Sequence, residues 1–250
     1  MVEGRAGFFD TVAELYDAYR PSYPIEAVMA TYARAMCEGP VLEIGSGTGR
    51  FTERLVDVAG SITCVEPGAN LIEVARRKFD DKVSFVCSTW NGAEVQSEFY
   101  SACFSAQAFH WVGPAGFPKV HRALKPGGVF AMVWNSDRTE GGDFKELLDP
   151  IWKKYSPNDL LTPSPSSRDE CRVALAASPL FEAFSADDFP WKQAYTTSEY
   201  LALLATYSDV GSMPPAKQAD FLGEIGAVVE AQGGHFVKPY ICRVFSAISL

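Results

Sequence analysis

Apolar residues recur along the first half of the chain in two alternating rhythms. Short β-branched and aromatic runs at Val41–Ile44, 61–65, Val83–Cys87, 100–105 and 128–134 read as strands. Between them the spacing predicts helices. Residues 48–58 place Phe51, Leu55 and Val58 on one face, and residues 70–79 bury Leu71, Val74, Ala75 and Phe79. A third helix over 116–124 precedes the fifth strand, which the turn Pro126-Gly127-Gly128 introduces. Strands alternating with helices at this interval predict parallel pairing through right-handed crossovers, hence an α/β fold with a doubly wound sheet. The rhythm changes after Asn135. Residues 140–180 are polar and rich in Pro and Ser (Pro157, Pro163, Pro165, Pro179) and only partly helical, which reads as an insertion or lid. A strand near 193–196, helices over 198–207 and 215–232 and a strand over 240–248 close the chain. The division expected is an α/β core at 1–139 with an N-terminal helix, a lid insertion at 140–182, and C-terminal strands plus cap helices at 183–250.

Composition narrows the class. Of 250 residues, 47% are hydrophobic and 21% charged, the balance of a folded domain. With 22 basic and 31 acidic side chains the net charge is −9, which argues against nucleic acid as a partner. Only Arg76-Arg77-Lys78 and Lys153-Lys154 cluster, as solvated helix faces do. The six cysteines show no C-x-x-C spacing, so the reading is reduced, mostly buried thiols, with neither disulfides nor a metal site. No apolar run approaches the ~20 residues of a membrane span, and the first residues lack the apolar core of a secretory signal. A cytoplasmic setting without membrane contact is expected.

The chemistry concentrates in Val41-Leu-Glu-Ile-Gly-Ser-Gly-Thr-Gly-Arg-Phe-Thr52. Glycines at alternate positions between a strand and a helix let the backbone turn tightly and approach a ligand, at the carboxyl end of the first strand where open α/β sheets bind ligands. A dinucleotide fingerprint fails because Arg50 stands where the third glycine belongs, and no Gly-Lys-Ser/Thr follows to make a P-loop. Glu43, two residues before the first glycine, would repel a pyrophosphate but suits a ligand bringing an ammonium group. Glu66, at the end of the second strand, is placed to accept both hydroxyls of a ribose. Ammonium, ribose and no pyrophosphate together describe S-adenosylmethionine.

At these residues the sequence resembles the class I S-adenosylmethionine-dependent methyltransferases. Glu43-Ile-Gly45-Ser-Gly47-Thr-Gly49 matches the glycine motif, and Glu66-Pro-Gly-Ala-Asn-Leu71 occupies the acidic-loop position. Ser105-Ala-Gln-Ala-Phe-His-Trp111 and Leu124-Lys-Pro-Gly-Gly-Val-Phe130 match later motifs. The opening stretch from Phe9 to Pro24 is similar to the small-molecule branch of trans-aconitate methyltransferase-like proteins. The resemblance implies a seven-stranded, mostly parallel Rossmann-like sheet ending in an antiparallel hairpin. It implies that Gly45, Ser46, Gly47 and Gly49 line the methionine portion, Glu66 holds the ribose, Pro67 and Leu71 flank the adenine, and Ser105 lies near the sulfonium. Tyr16 and Arg20 would cover the methionine carboxylate. The acidic residue many relatives carry after the third strand is absent here; Thr89 and Trp90, or the Asn91 amide, stand in its place.

His110 is the histidine within a motif, and three roles stay open for it: general base on a hydroxyl, substrate positioning, or a helix cap. The expected activity is methyl transfer from S-adenosylmethionine, with S-adenosylhomocysteine as product, to a small-molecule acceptor, a carboxylate or hydroxyl oxygen being favoured. The chain would act as a monomer or homodimer. Two rivals share these features: a non-catalytic S-adenosylmethionine-binding protein, and a nicotinamide-dependent oxidoreductase, against which Glu43 and Arg50 count.

Overall fold

Each expected strand forms. In the computed structural model, which describes residues 8–79, 81–137, 143–155 and 167–250, they are β1 (Val41–Ile44), β2 (Ile62–Glu66), β3 (Val83–Cys87), β4 (Tyr100–Ala106) and β5 (Leu124–Asp137). These five run parallel. β6 (Phe181–Thr196) and β7 (His235–Ser249) form a long antiparallel hairpin joined to β5 through β7. The resulting seven-stranded sheet has the order β3-β2-β1-β4-β5-β7-β6. The order reverses between β1 and β4, which opens a crevice at their carboxyl ends.

Period-two alternation divides the strands between two cores. Val129, Ala131 and Val133 of β5 face one layer, with Val41 and Phe104, under α2 (Ile25–Tyr32) and α3 (Thr52–Leu55). Phe130, Met132 and Trp134 face the other, with Leu42 and Phe245, under α5 (Phe117–Ala123) and α7 (Ser167–Ala176). α4 (Ala69–Arg76) packs Leu71 and Val74 against Ala13 of α1 (Ala13–Tyr19). A separate aromatic cluster builds a cap from α6 (Asp143–Tyr155), α8 (Thr197–Ala205), α9 (Ser208–Gly211) and α10 (Pro215–Ala231), with Tyr155, Tyr195, Tyr200, Phe221 and Tyr240 at its centre. α8 starts at a capping box: Thr196 Oγ1 accepts from the Glu199 N–H, and the Glu199 carboxylate accepts from the Thr196 N–H.

Three expectations shift. The helix expected over 48–58 contracts to four residues, because Gly49 adopts φ +82° and its N–H bonds Ser46 O, which holds the preceding residues in turns. β6 begins at Phe181 rather than near 193; Pro190, which reads as a break, is tolerated on an edge strand. Within the segment expected as a lid, α7 lays Cys171 and Leu175 into the core beside the sheet, while Leu148 and Tyr155 of α6 join the cap. Residues 138–142 and 156–166, with Pro157, Pro163 and Pro165, lie outside the described residues. Among the described residues no helix is long and apolar enough to cross a membrane.

Candidate active site

Three glycines shape the loop after β1. Gly45, Gly47 and Gly49 adopt φ of +73°, +56° and +82°, the left-handed region in which a Cβ is strained. A Cβ on Gly45 would lie 2.3 Å from Ala108 Cβ, so this end of the loop is pressed against the turn after β4. A Cβ on Gly47 would meet nothing within 4 Å, so the middle of the loop borders open space. The Ser46 and Thr48 hydroxyls are buried without a hydrogen-bond partner.

Two carboxylates attend the loop differently. Glu66 accepts from the Gly47 N–H and the Gly68 N–H, both at 2.9 Å. Each of its oxygens keeps a second lone pair for a further donor. Burial raises its pKa, against the opposing pull of those two N–H groups. Glu43 has no exposed surface; its Oε2 accepts from Thr52 Oγ1 at 2.6 Å, and its Oε1 has no partner. Burial pushes its pKa up to about 7. Glu43 thus braces the loop through Thr52.

The remaining expected residues divide into exposed and committed groups. Pro67 and Thr89 are exposed after β2 and β3, and Leu71 is buried in α4. Trp90 is buried, with its indole N–H toward Gly116 O and Lys119 over its ring. Ser105 is fully buried and donates to Ile44 O at 2.8 Å, which ties β4 to β1. The Arg20 guanidinium is held between the rings of Tyr16 and Tyr207 and donates to Thr206 Oγ1 and O, both at 2.8 Å. Arg50 of the glycine loop donates to Arg20 O at 2.7 Å. N-terminal segment, loop and cap are thereby joined. Lys78 pairs with Asp17 of α1, and Arg77 with Glu14. Asp10, which sequence reasoning passed over, caps α4 by accepting from the N–H groups of Asn70 and Leu71.

His110 lies on a 3-10 turn, Phe109–Trp111, directly after β4. Its Nδ1 is buried without a partner, and burial, aided by the positive charge of Arg168, lowers its pKa to about 4. The imidazole is therefore neutral at physiological pH and a weak base. Gln107, three residues earlier, adopts φ +57°. Its side-chain N–H donates to Asn135 O at 2.8 Å, and its Oε1 accepts from Arg168 at 3.3 Å. Asn135 in turn donates to Ser22 O and accepts from the Trp191 indole. Gln107 stood inside a recognised motif; Arg168, in a segment without periodicity, gave no signal. An open cleft of about 540 Å³ between residues 10–15 and α4 is lined by Asp10, Glu14, Asn70 and Arg77 and by no glycine-loop residue.

This strand order, with a glycine loop after β1 and a carboxylate closing β2, defines the class I methyltransferase architecture. Residues 41–128 match the family model described as a methyltransferase domain. It is 33% identical over 150 residues to an uncharacterized methyltransferase of Mycobacterium tuberculosis (strain H37Rv), a match spanning 60% of this chain and 60% of that protein. Among solved structures, a provisionally assigned type II methyltransferase from Anaeromyxobacter dehalogenans gives a TM-score of 0.70 at 19% identity, covering 92% of this chain and 97% of that one. Geranyl diphosphate C-methyltransferase from Streptomyces coelicolor, solved with S-adenosyl-L-homocysteine, gives 0.50 at 15% identity, covering 90% and 78%.

Proposed function

We propose that this protein transfers the methyl group of S-adenosylmethionine to an oxygen of a small-molecule acceptor in the cytoplasm. One observation carries the reading: the glycine loop opens to free space at Gly47, beside a Glu66 carboxylate with lone pairs to spare. The unpartnered Ser46 and Thr48 hydroxyls add donors on the same loop. These residues fit S-adenosylmethionine, which supplies, when bound, a methyl group on a positively charged sulfur. Gly45, Ser46, Gly47 and Gly49 hold the amino-acid end, and Glu66 accepts from the ribose hydroxyls. Pro67, Leu71 and the Thr89-Trp90 backbone border the base. Ser105 acts through Ile44 by fixing the loop, while Arg20 and Tyr16 fasten the N-terminal helix to the cap.

His110 positions the acceptor by hydrogen bonding, since a group with a pKa of about 4 takes up protons poorly at neutral pH. A small acceptor is supported by the net charge of −9, which disfavours the phosphate backbone of nucleic acid. Parallel calorimetric titrations with S-adenosylmethionine, S-adenosylhomocysteine and NADH test the reading. Micromolar binding of the two sulfur nucleosides without an NADH response is the expected result. NADH binding alone overturns it in favour of redox chemistry. Cofactor binding without turnover on any organic acid, phenol or alcohol points to a non-catalytic binder.

A further inference from the structure

Resting on the methyl-transfer reading, we propose that Arg168 selects the acceptor by binding an anionic group on it, a carboxylate, with Gln107 as its positioning residue. Arg168 stands in the first turn of α7, half-buried, where that helix packs against the 3-10 turn bearing His110. Its hydrogen-bond partner is the neutral Gln107 amide, and no described carboxylate pairs with it. A half-buried cation without a counter-charge carries a desolvation cost that an anionic ligand would offset. The described groups around it supply no counter-charge. His110 is neutral, and the Tyr23 phenol, buried and with its pKa well raised, is neutral too.

The aim of the guanidinium is fixed by a chain of polar contacts. The Trp191 indole donates to Asn135 Oδ1, Asn135 O accepts from Gln107 Nε2, and this leaves Gln107 Oε1 toward Arg168. The chain runs from the edge strand β6 across the end of β5 to the residue after β4. Gln107 takes part at φ +57°, in the left-handed region that a Cβ disfavours. Its neighbour Ala108 abuts Gly45, so this cation is anchored next to the cofactor loop. The unpartnered Nδ1 of His110 adds a neutral polar atom nearby. An anionic acceptor oxygen carries no proton to remove, which matches a weakly basic imidazole.

The test is calorimetry on the full chain saturated with S-adenosylhomocysteine, using acetate, succinate and benzoate against acetamide, succinamide and benzamide. At least one acid should bind saturably at millimolar concentration, with its amide weaker by roughly ten- to hundredfold, the cost of a lost charge-assisted hydrogen bond. Arg168→Gln should weaken the acid by a similar factor and Arg168→Lys by less, with S-adenosylhomocysteine affinity unchanged in both. Gln107→Glu, which gives Arg168 an internal carboxylate, should exclude the acid without disturbing the cofactor. Arg168→Gln should also raise the His110 pKa, read by NMR titration of the imidazole, because it removes the charge that lowers it. Acids and amides binding alike, no acid saturating while S-adenosylhomocysteine binds, or full acid affinity in Arg168→Gln each overturn the proposal. Failure of S-adenosylhomocysteine to bind instead overturns the methyltransferase reading, and the proposal falls with it.

Discussion

The two halves of the site are built from different materials. At the β1–β2 end, the proposed cofactor site is backbone: three left-handed glycines, with the Gly47 and Gly68 N–H groups locking Glu66 in place. At the β4–β5 end stand side chains, Gln107, His110 and Arg168, with Gln107 bonded to both the Asn135 carbonyl and Arg168. Backbone geometry needs glycine and a fixed spacing, so it tolerates little change. A side-chain network can be rebuilt residue by residue while the scaffold stays. One half suits an invariant cofactor, the other a varying acceptor.

Substitutions can break this contrast. Gly45→Ala should have the largest effect, since it combines a left-handed φ with a Cβ 2.3 Å from Ala108. Roughly 2–5 kcal/mol of lost stability is expected, read as a melting-temperature drop of about 5–15 °C. Gly47→Ala shares the φ but meets nothing, so it should cost only about 1–2 kcal/mol yet abolish S-adenosylhomocysteine binding. Equal thermal losses in the two variants would contradict the open space at Gly47.

Next comes Glu43, which titrates near 7 instead of the ordinary 4.5 because burial disfavours its charge. Between those values the folded protein holds a proton that the unfolded chain has released. Stability should therefore be greatest below about pH 4.5 as far as this group is concerned, and be lost as pH rises to about 7, by on the order of 3 kcal/mol. Glu43→Gln should flatten that slope in denaturant unfolding; coincident slopes would acquit Glu43.

Glu66→Ala should weaken S-adenosylhomocysteine by roughly one to two orders of magnitude, about 2 kcal/mol of charged hydrogen bonding. Unchanged affinity in calorimetry removes Glu66 from the ribose. The smallest effect is expected from Trp191→Phe. It keeps the stack on Tyr240, whose ring centroid is 5.0 Å away, but loses the bond to Asn135. Stability should fall by about 1 kcal/mol or less with cofactor affinity intact, while acid binding weakens.

The same contrast explains what the sequence disclosed. Strands β1 to β5 and the loop glycines were legible because a buried parallel strand is mostly apolar and a left-handed turn favours glycine. Glu43 was found by motif, yet its fully buried place beside Thr52 depends on a contact nine residues away in the chain. β6 was read short because an edge strand is exposed over much of its length and carries Asp187, Asp188 and Pro190 without penalty. Arg168 was invisible: a guanidinium in a polar segment looks like solvent-facing charge until the fold sets α7 against His110.

Arg20 and Thr206 are 186 residues apart in sequence, yet their two hydrogen bonds join the N-terminal segment to the cap. A contact at that separation closes a loop comprising most of the chain, whose entropy cost the packing of the intervening elements must offset. During synthesis the glycine loop emerges early and Thr206 late. A nascent chain that has already made β1 to β5 holds its N-terminal segment through Asp10, Asp17 and the Arg20 carbonyl but still lacks the Thr206 partner of the Arg20 guanidinium.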